Sequence, residues 1–196
     1  KNDTTTMSKK SLDRKAAQKF IVDSRDNGKT DQEIYNELSE QYYDKKSVAL
    51  LITGTVTTEN KKKYKVYNNI LLGLLGLSIL FKLLTVFSLT IQTGQLWTLL
   101  LVLIVPLFAG YFMYEIARYN GPIYRFCGML AIAGFLQTIG KAENGTDVLI
   151  NIIFAGAVAG LSFYLDSKMF PDYSPKNLKK DSNGEYILSL NNDGRK

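Results

Sequence analysis

The chain has 196 residues, 24 of them basic and 18 acidic, which gives it a formal charge of +6. It contains no histidine, so imidazole is excluded as an acid, a base, a metal ligand or a pH sensor. Its single cysteine excludes an internal disulfide and a metal site built from several cysteines.

The charges are divided unevenly along the chain. Residues 66–165 carry only seven charged side chains, and the flanking residues carry all the others. One globular core with an even surface does not show such a division, whereas a membrane-embedded block between charged segments does. We therefore predict five regions, which are a disordered segment 1–10, a helical unit 11–54, a basic linker 55–65, a transmembrane domain 66–165 and a tail 166–196.

Residues 11–54 have the signals of three short helices. Ser11 is placed to cap the first, and Thr30 and Glu33 form a capping box that opens the second. Asp44 is placed to cap the third, and Gly54 is placed to end it in a left-handed turn. Three short helices bury little apolar area, so we expect this cytosolic unit to pack on a membrane loop, a second copy or a partner.

The opening of the second predicted helix is similar to that of a helix-turn-helix. It reads Gly-Lys-Thr-x-x-Glu-Ile over residues 28–34, and one interpretation is binding of DNA or RNA. The alternative is a small module for protein interaction. Acidic side chains on this helix would repel phosphate, so we favour the alternative over a nucleic-acid partner. These residues are Asp31, Glu33, Glu37 and Glu40.

The central block predicts an all-α membrane protein with four transmembrane helices. Between Val66 and Tyr114 the only charged residue is Lys82, and a bilayer core takes about 20 helical residues. A soluble protein with buried helices is the alternative, but the two charged flanks are too small to cover four helices that are apolar on nearly every face. The predicted spans are 66–89, 96–115, 122–140 and 147–165.

Basic and aromatic residues indicate the orientation of these spans. With both termini in the cytoplasm, the loops on the opposite side hold only Lys141 as a cation, and Trp97 marks that interface. We expect an integral protein of a bacterial inner membrane with both termini cytoplasmic. The cations on the inner side are Lys61, Lys62, Lys63, Lys65, Arg118, Arg125 and Lys168, and the tyrosines are Tyr64, Tyr67, Tyr111, Tyr114, Tyr119, Tyr124 and Tyr164.

The run Lys61, Lys62, Lys63 and Lys65 has two interpretations. Lysines next to a span bind anionic lipid in some membrane proteins, and in others they only fix the topology. We favour the second interpretation.

Three polar residues fall in one predicted layer of the outer leaflet, namely Lys82, Gln137 and Asn151. A buried ammonium group is costly unless it is paired or hydrated, so the layer is a candidate site for an anion, a lipid headgroup or a partner's carboxylate. The alternative, which we favour, is that Lys82 extends to the outer surface.

Small residues form a ridge in the fourth span. Gly156 and Gly160 make a GxxxG pattern, and Ala155 and Ala159 run parallel to it. Such a ridge allows helix backbones to approach closely, either between copies of the chain or within one bundle. We favour packing within one bundle.

The tail contains a turn signal at residues 181–184, followed by residues 185–190 with a strand pattern. An isolated hairpin is marginal in water, so we expect it to pair with a partner or to pack on the N-terminal unit.

The sequence contains no phosphate-binding loop, metalloprotease motif, nucleophile elbow or dinucleotide-binding glycine pattern. We therefore expect no enzyme activity, no cofactor and no metal. The leading hypothesis is an accessory subunit of a larger membrane assembly, with lipids and other membrane subunits, or further copies of itself, as partners. The alternatives are a homo-oligomeric channel or membrane-permeabilising effector, and a membrane-anchored nucleic-acid-binding regulator.

Overall fold

The computed structural model describes residues 10–93, 97–139, 145–173 and 178–188. Over these residues the protein is all-α, and its extended pairing is limited to isolated bridges. The helices are α1 (Arg14–Asp26), α2 (Asp31–Gln41), α3 (Lys45–Thr53), α4 (Thr58–Thr93), α5 (Trp97–Ala117), α6 (Gly121–Ile139) and α7 (Gly145–Met169).

The chain divides into two compact units. The first combines the N-terminal part of the chain up to Glu59 with the part that begins at Phe170, and we call it the terminal unit. The second runs from Asn60 to Met169, and we call it the long-helix unit.

Two of the predicted helix caps in the terminal unit are confirmed. The hydroxyl of Thr30 accepts the N–H of Glu33, and the Glu33 carboxylate accepts the N–H of Thr30, which lowers the pKa of Glu33. Asp44 accepts the N–H of Ser47 at 3.0 Å at the start of α3.

Two other local predictions are wrong. Asp13, not Ser11, caps α1 and accepts the N–H groups of Lys15 and Ala16 at 3.0 and 3.2 Å. The chain before Asp13 is extended, because Lys10 pairs with the end of α2. Gly54 has a right-handed φ of −86°, since its N–H continues the helical pattern by donating to Leu50.

The core of the terminal unit lies where α1, α2 and α3 meet. Its side chains are at most 2% exposed on the inner faces of these helices, and they are Ile21, Ile34, Tyr35, Leu38, Val48, Ala49 and Ile52. Tyr186, from the other end of the chain, is 9% exposed in the same cluster, and Leu178 and Leu188 pack against it. The C-terminal segment is therefore part of this core, which was one of the two arrangements expected for it.

The predicted turn in that segment is present. Gly184 adopts a φ of +80°, which favours glycine, and Asp181 donates its N–H to the carbonyl of Glu185 at 2.9 Å. Lys180 and Tyr186 form one antiparallel bridge, and residues 189 and 190 of the predicted strand lie outside the described residues.

Helical structure in the long-helix unit extends beyond the predicted boundaries at both ends. Most of the segment 55–65, predicted as a linker, belongs to α4, which begins at Thr58. Lysine is a good helix former, and no glycine or proline interrupts the chain before Gly73. Helix α7 continues past residue 165 to Met169, shortly before Pro171, so Asp166 is helical.

Two segments of the described residues are long and apolar enough to cross a membrane, Thr58–Phe81 and Leu149–Met169. Only 17% of the first and 28% of the second is buried, whereas the core helix of a soluble protein is mostly buried. A shorter apolar segment covers Gly121–Leu136. Large side chains of α4 that are 53–69% exposed include Leu80, Phe81, Leu84, Phe87 and Ile91.

Candidate functional site

One end of the long-helix unit contains a connected set of polar and aromatic side chains. The packed face of α4 at this end consists of Asn60, Tyr64, Asn68 and Leu71, all 8% exposed or less. Their spacing of three or four residues places them on one side of the helix. The side chains of the first three can form hydrogen bonds. Polar groups therefore form the N-terminal part of this packed face, and the apolar side chain of Leu71 follows them along the helix.

Asn68 and Tyr124 join three helices in the interior of this unit. The Tyr124 hydroxyl lies 2.6 Å from Oδ1 of Asn68 and 3.1 Å from the carbonyl oxygen of Ile116. The side-chain amide of Asn68 donates to the same carbonyl at 3.3 Å. Both side chains are at most 1% exposed, and their bonding satisfies groups that would otherwise be costly to bury. Local sequence patterns do not reveal this contact, because neither residue is charged.

An ion pair joins α6 to α7 at the same end. Nε and Nη2 of Arg125 donate to Oδ2 of Asp166 at 3.0 and 2.8 Å, and Asp166 is only 4% exposed. The other carboxylate oxygen of Asp166, Oδ1, has no hydrogen-bond partner among the described residues. The predicted boundary at residue 165 places Asp166 in the tail, so its pairing with Arg125 was not predicted.

Tyrosines surround this polar set. The rings of Tyr64, Tyr67 and Tyr164 lie 5.7–6.5 Å apart, centroid to centroid. Tyrosine rings at one end of apolar helices are typical of a membrane–water interface, because the hydroxyl can be hydrated while the ring stays in an apolar environment.

Cations stand over tyrosine rings at this end as well. The ammonium nitrogen of Lys61 lies 5.1 Å from the ring centroid of Tyr119. The guanidinium group of Arg118 lies 5.2 Å from the ring centroid of Tyr114 and donates to its hydroxyl at 2.9 Å. Such contacts orient the cations without neutralising them.

The four lysines predicted as an anchor are all exposed on α4, and none forms an ion pair within the described part of the chain. At about 100° per residue, Lys61 and Lys65 lie on one side of the packed face of α4, and Lys62 and Lys63 lie elsewhere on the helix.

The predicted outer polar layer stays a prediction. Lys82 lies in α4 and Gln137 in α6, but their side chains fall outside the described residues. Asn151 lies in α7 and is exposed.

The ridge of small residues is partly open. Gly156 and Gly160 are exposed, and a Cβ atom added to either would meet nothing within 4 Å. Ala159 is 7% exposed and Ala155 is half-buried. Closer packing of α7 on α6 occurs at Gly128, where an added Cβ would lie 2.9 Å from the ring of Phe163. Association through the ridge stays a prediction.

In the terminal unit, the C-terminal segment is held by hydrogen bonds to α2 and α3. The carboxylate of Glu185 accepts from the Tyr35 hydroxyl at 3.0 Å and forms an ion pair with Lys45. The side-chain amide of Gln32 accepts the N–H of Leu188 and donates to the carbonyl of Tyr186. These partners are separated by 140 residues or more, so local sequence patterns do not reveal them.

An open groove of about 440 Å³ adjoins these contacts. It is lined by Asn36, Ser39, Glu40, Lys45 and Glu185. The described residues contain no group of three or more histidine, cysteine, aspartate or glutamate side chains that could hold a metal ion.

Comparison of the chain with protein-family models, curated proteins and solved structures gives no match.

Proposed function

We propose that this protein is a non-catalytic membrane protein with four spans and two cytoplasmic termini, and that it serves as an accessory subunit of a larger assembly in a bacterial inner membrane. The observation that carries the proposal is that the chain combines long helices with exposed apolar faces and a separate polar unit made from its N-terminal and C-terminal parts.

Exposure of large apolar side chains supports the membrane environment. Phe81, Phe87 and Ile91 on α4 are 57–69% exposed, and Ile150 and Ile153 on α7 are 60–64% exposed. A continuous apolar surface of this kind is unfavourable in water, whereas lipid tails solvate it at no such cost.

The composition of the terminal unit supports an even number of crossings. Tyr186 and Leu188, which follow α7, pack with α1, α2 and α3, which precede α4. Segments that fold into one core lie on one side of a membrane, so the chain between them crosses it an even number of times.

The lengths of α5 and α6 favour four crossings over two. Helix α5 has 21 residues with Glu115 as its only charge, and α6 has 19 residues with Arg125 as its only charge. Both lengths are close to the roughly 20 residues that a bilayer core requires. The cations of Lys61–Lys65 and Arg118 then lie on the cytoplasmic side.

The terminal unit supports the role of a subunit. Its polar groove presents Glu40, which is exposed, next to the bonded pair of Lys45 and Glu185. The acidic side chains of α2 argue against nucleic acid as the partner, because phosphate would be repelled from that helix.

Purification from native membranes in mild detergent tests the proposal. We expect a particle well above the 22.0 kDa of one chain, with other membrane subunits in a fixed ratio. Glu40→Arg in the groove should release these subunits without affecting membrane insertion, whereas the matched reversal Asp23→Arg on the exposed surface of α1 should retain them. A monodisperse monomer with a folded terminal unit would contradict the proposal.

The open ridge on α7 favours a second candidate, a homo-oligomeric channel. Gly156 and Gly160 have room for the backbone of another helix. Liposomes that contain only this protein would then conduct ions, and Gly160→Leu would abolish the flux. Gly110→Leu, at another glycine with open space around it, is the control. An oligomer or flux that is unaffected by Gly160→Leu would exclude this seam.

A further inference from the structure

The connection between α5 and α6 keeps a tyrosine in a backbone conformation that favours glycine. Tyr119 has a φ of +59°, and it is the only residue other than glycine with a positive φ in the described part of the chain. Its N–H donates to Ile116, and the N–H of Asn120 donates to Glu115, each at 3.0 Å. This bonding is that of a helix C-terminus at which glycine is the usual residue. A tyrosine at this position indicates that its ring makes an interaction that offsets the backbone strain.

The ring of Tyr119 lies under a lysine of another helix. It is 8% exposed, and the ammonium nitrogen of Lys61 stands 5.1 Å from its centroid. The ring therefore favours one position of a cation that is carried on a flexible side chain.

A second lysine, Lys65, lies one helical turn from Lys61 on the same side of α4. No acidic residue stands three or four positions from either lysine, and neither forms an ion pair within the described residues. Two like charges at this spacing repel each other, and a bound anion would relieve that repulsion.

Arg118 adds a third cation beside Tyr119. It is exposed and contacts Tyr114, and no carboxylate pairs with it among the residues that the structure describes. Three cations and two tyrosines thus lie at the same end of these apolar helices. In a membrane, this end would lie at the depth of the lipid phosphates.

We propose that Lys61, Lys65, Arg118 and Tyr119 form a binding site for the phosphate of an anionic phospholipid in the cytoplasmic leaflet. This inference rests on the proposed membrane location. A binding site differs from a topology anchor in what it requires. A topology anchor requires only a sufficient number of positive charges, whereas a binding site requires the charges at particular positions.

Removal of equal charge at different positions separates these two roles. The full-length protein is purified in neutral detergent and titrated with phosphatidylglycerol or phosphatidylcholine, and bound lipid is counted by native mass spectrometry. The test variant is Lys61→Gln/Lys65→Gln. The matched control is Lys62→Gln/Lys63→Gln, which removes the same charge from the same turns of α4. Lys63 also stands over a tyrosine ring, 5.6 Å from the centroid of Tyr64, but on a different side of α4 from Lys61 and Lys65.

We expect the wild type to retain phosphatidylglycerol in preference to phosphatidylcholine. The test variant should bind phosphatidylglycerol on the order of tenfold more weakly, since two cations near a lipid phosphate are removed. The control variant should stay close to the wild type.

Equal losses in both variants, or no preference for the anionic lipid in the wild type, would overturn the site while leaving the proposed function intact. Recovery of the wild type in the soluble fraction of cells, without detergent, would overturn the membrane location and the site together.

Discussion

Arg25 connects the ends of three helices in the terminal unit. Its guanidinium group donates to both carboxylate oxygens of Asp31 at 2.7 and 2.9 Å. It also donates to the carbonyl oxygens of Thr55 and Ile52 at 2.7 and 2.9 Å, which satisfies groups at the end of α3. The side chain is 13% exposed, so water replaces little of this bonding.

Replacement of Arg25 should therefore loosen the whole unit. We expect Arg25→Lys to destabilise it by about 2 kcal/mol, because an ammonium group lacks the planar fork that reaches all four acceptors. Lys29→Ala, which removes a half-exposed ion pair with Glu37, is the control and should cost at most about 0.5 kcal/mol. Hydrogen exchange of the α1–α3 amides in the full-length protein measures the loss of stability in each variant. Equal protection of these amides in Arg25→Lys and Lys29→Ala would contradict the proposed role of Arg25.

Tyr35 makes the attachment of the C-terminal segment sensitive to alkaline pH. Burial raises the pKa of Tyr35 to about 12, and its bond to the Glu185 carboxylate acts in the same direction. Because the folded value exceeds the ordinary 10.0, the stabilisation is fully present below pH 10 and is lost as the pH rises through 12.

Proteolysis of the C-terminal segment should therefore accelerate between pH 10 and 12 in the wild type. Tyr35→Phe should release the segment faster at neutral pH, since the bond to Glu185 is gone, and should show a smaller change over that alkaline interval. Tyr43→Phe, at a residue that is 67% exposed, is the control. An identical alkaline transition in Tyr35→Phe would exclude Tyr35 as its cause.

Local patterns predicted residues whose partners are close in sequence. Thr30, Glu33 and Asp44 cap helices as expected, because each bonds to a backbone group within three residues. The prediction that Ser11 caps α1 was wrong, because a contact between Lys10 and the end of α2 holds the chain before α1 extended. Arg25 and Glu185 were missed as organising residues, since the carbonyl partners of Arg25 lie 27 and 30 residues away and the partners of the Glu185 carboxylate lie 140 and 150 residues away.

At the scale of elements, the pairing of α6 with α7 depends on Gly128. A Cβ atom at this position would lie 2.9 Å from the ring of Phe163, closer than normal contact. Gly128→Leu should therefore separate the helices and weaken the neighbouring ion pair of Arg125 with Asp166.

We expect Gly128→Leu to destabilise the long-helix unit by about 2 kcal/mol or more, measured as thermal unfolding of the full-length protein in detergent. The control is Gly110→Ala on α5, where an added Cβ meets nothing within 4 Å. This change should stabilise the helix by up to about 1 kcal/mol, because alanine favours a helix more than glycine does. Unfolding of Gly128→Leu at the wild-type temperature would contradict the packing.

Helix ends were the least predictable feature of the elements. Apolar runs indicate where lipid would solvate a helix, but backbone hydrogen bonding continues through charged residues, as at the start of α4 and the end of α7. The predicted boundary at residue 165 therefore placed Asp166 outside the helix and concealed its ion pair with Arg125. The clustering of lysines and tyrosines at one end was predictable, because it follows from their spacing along apolar helices.

At the scale of the whole molecule, the two ends of the chain fold into one unit while the helices between them expose apolar faces. The separation of polar flanking segments from apolar helices was predictable, because the charged residues are divided unevenly along the sequence. The sequence left open whether the tail packs on the N-terminal helices, because that depends on the fit of Tyr186 and Leu188 into a core assembled from distant segments.

Labelling of single introduced cysteines with a membrane-impermeant maleimide tests the central claim most directly. The background is Cys127→Ser, and the probes are Lys46→Cys and Ser182→Cys, both exposed in the terminal unit, and Thr146→Cys at the start of α7. We predict that Lys46→Cys and Ser182→Cys react only in inside-out vesicles and that Thr146→Cys reacts only from the outside of intact cells or spheroplasts. Reaction of Lys46→Cys and Ser182→Cys from opposite sides, or recovery of all three proteins in the soluble fraction, would contradict the account.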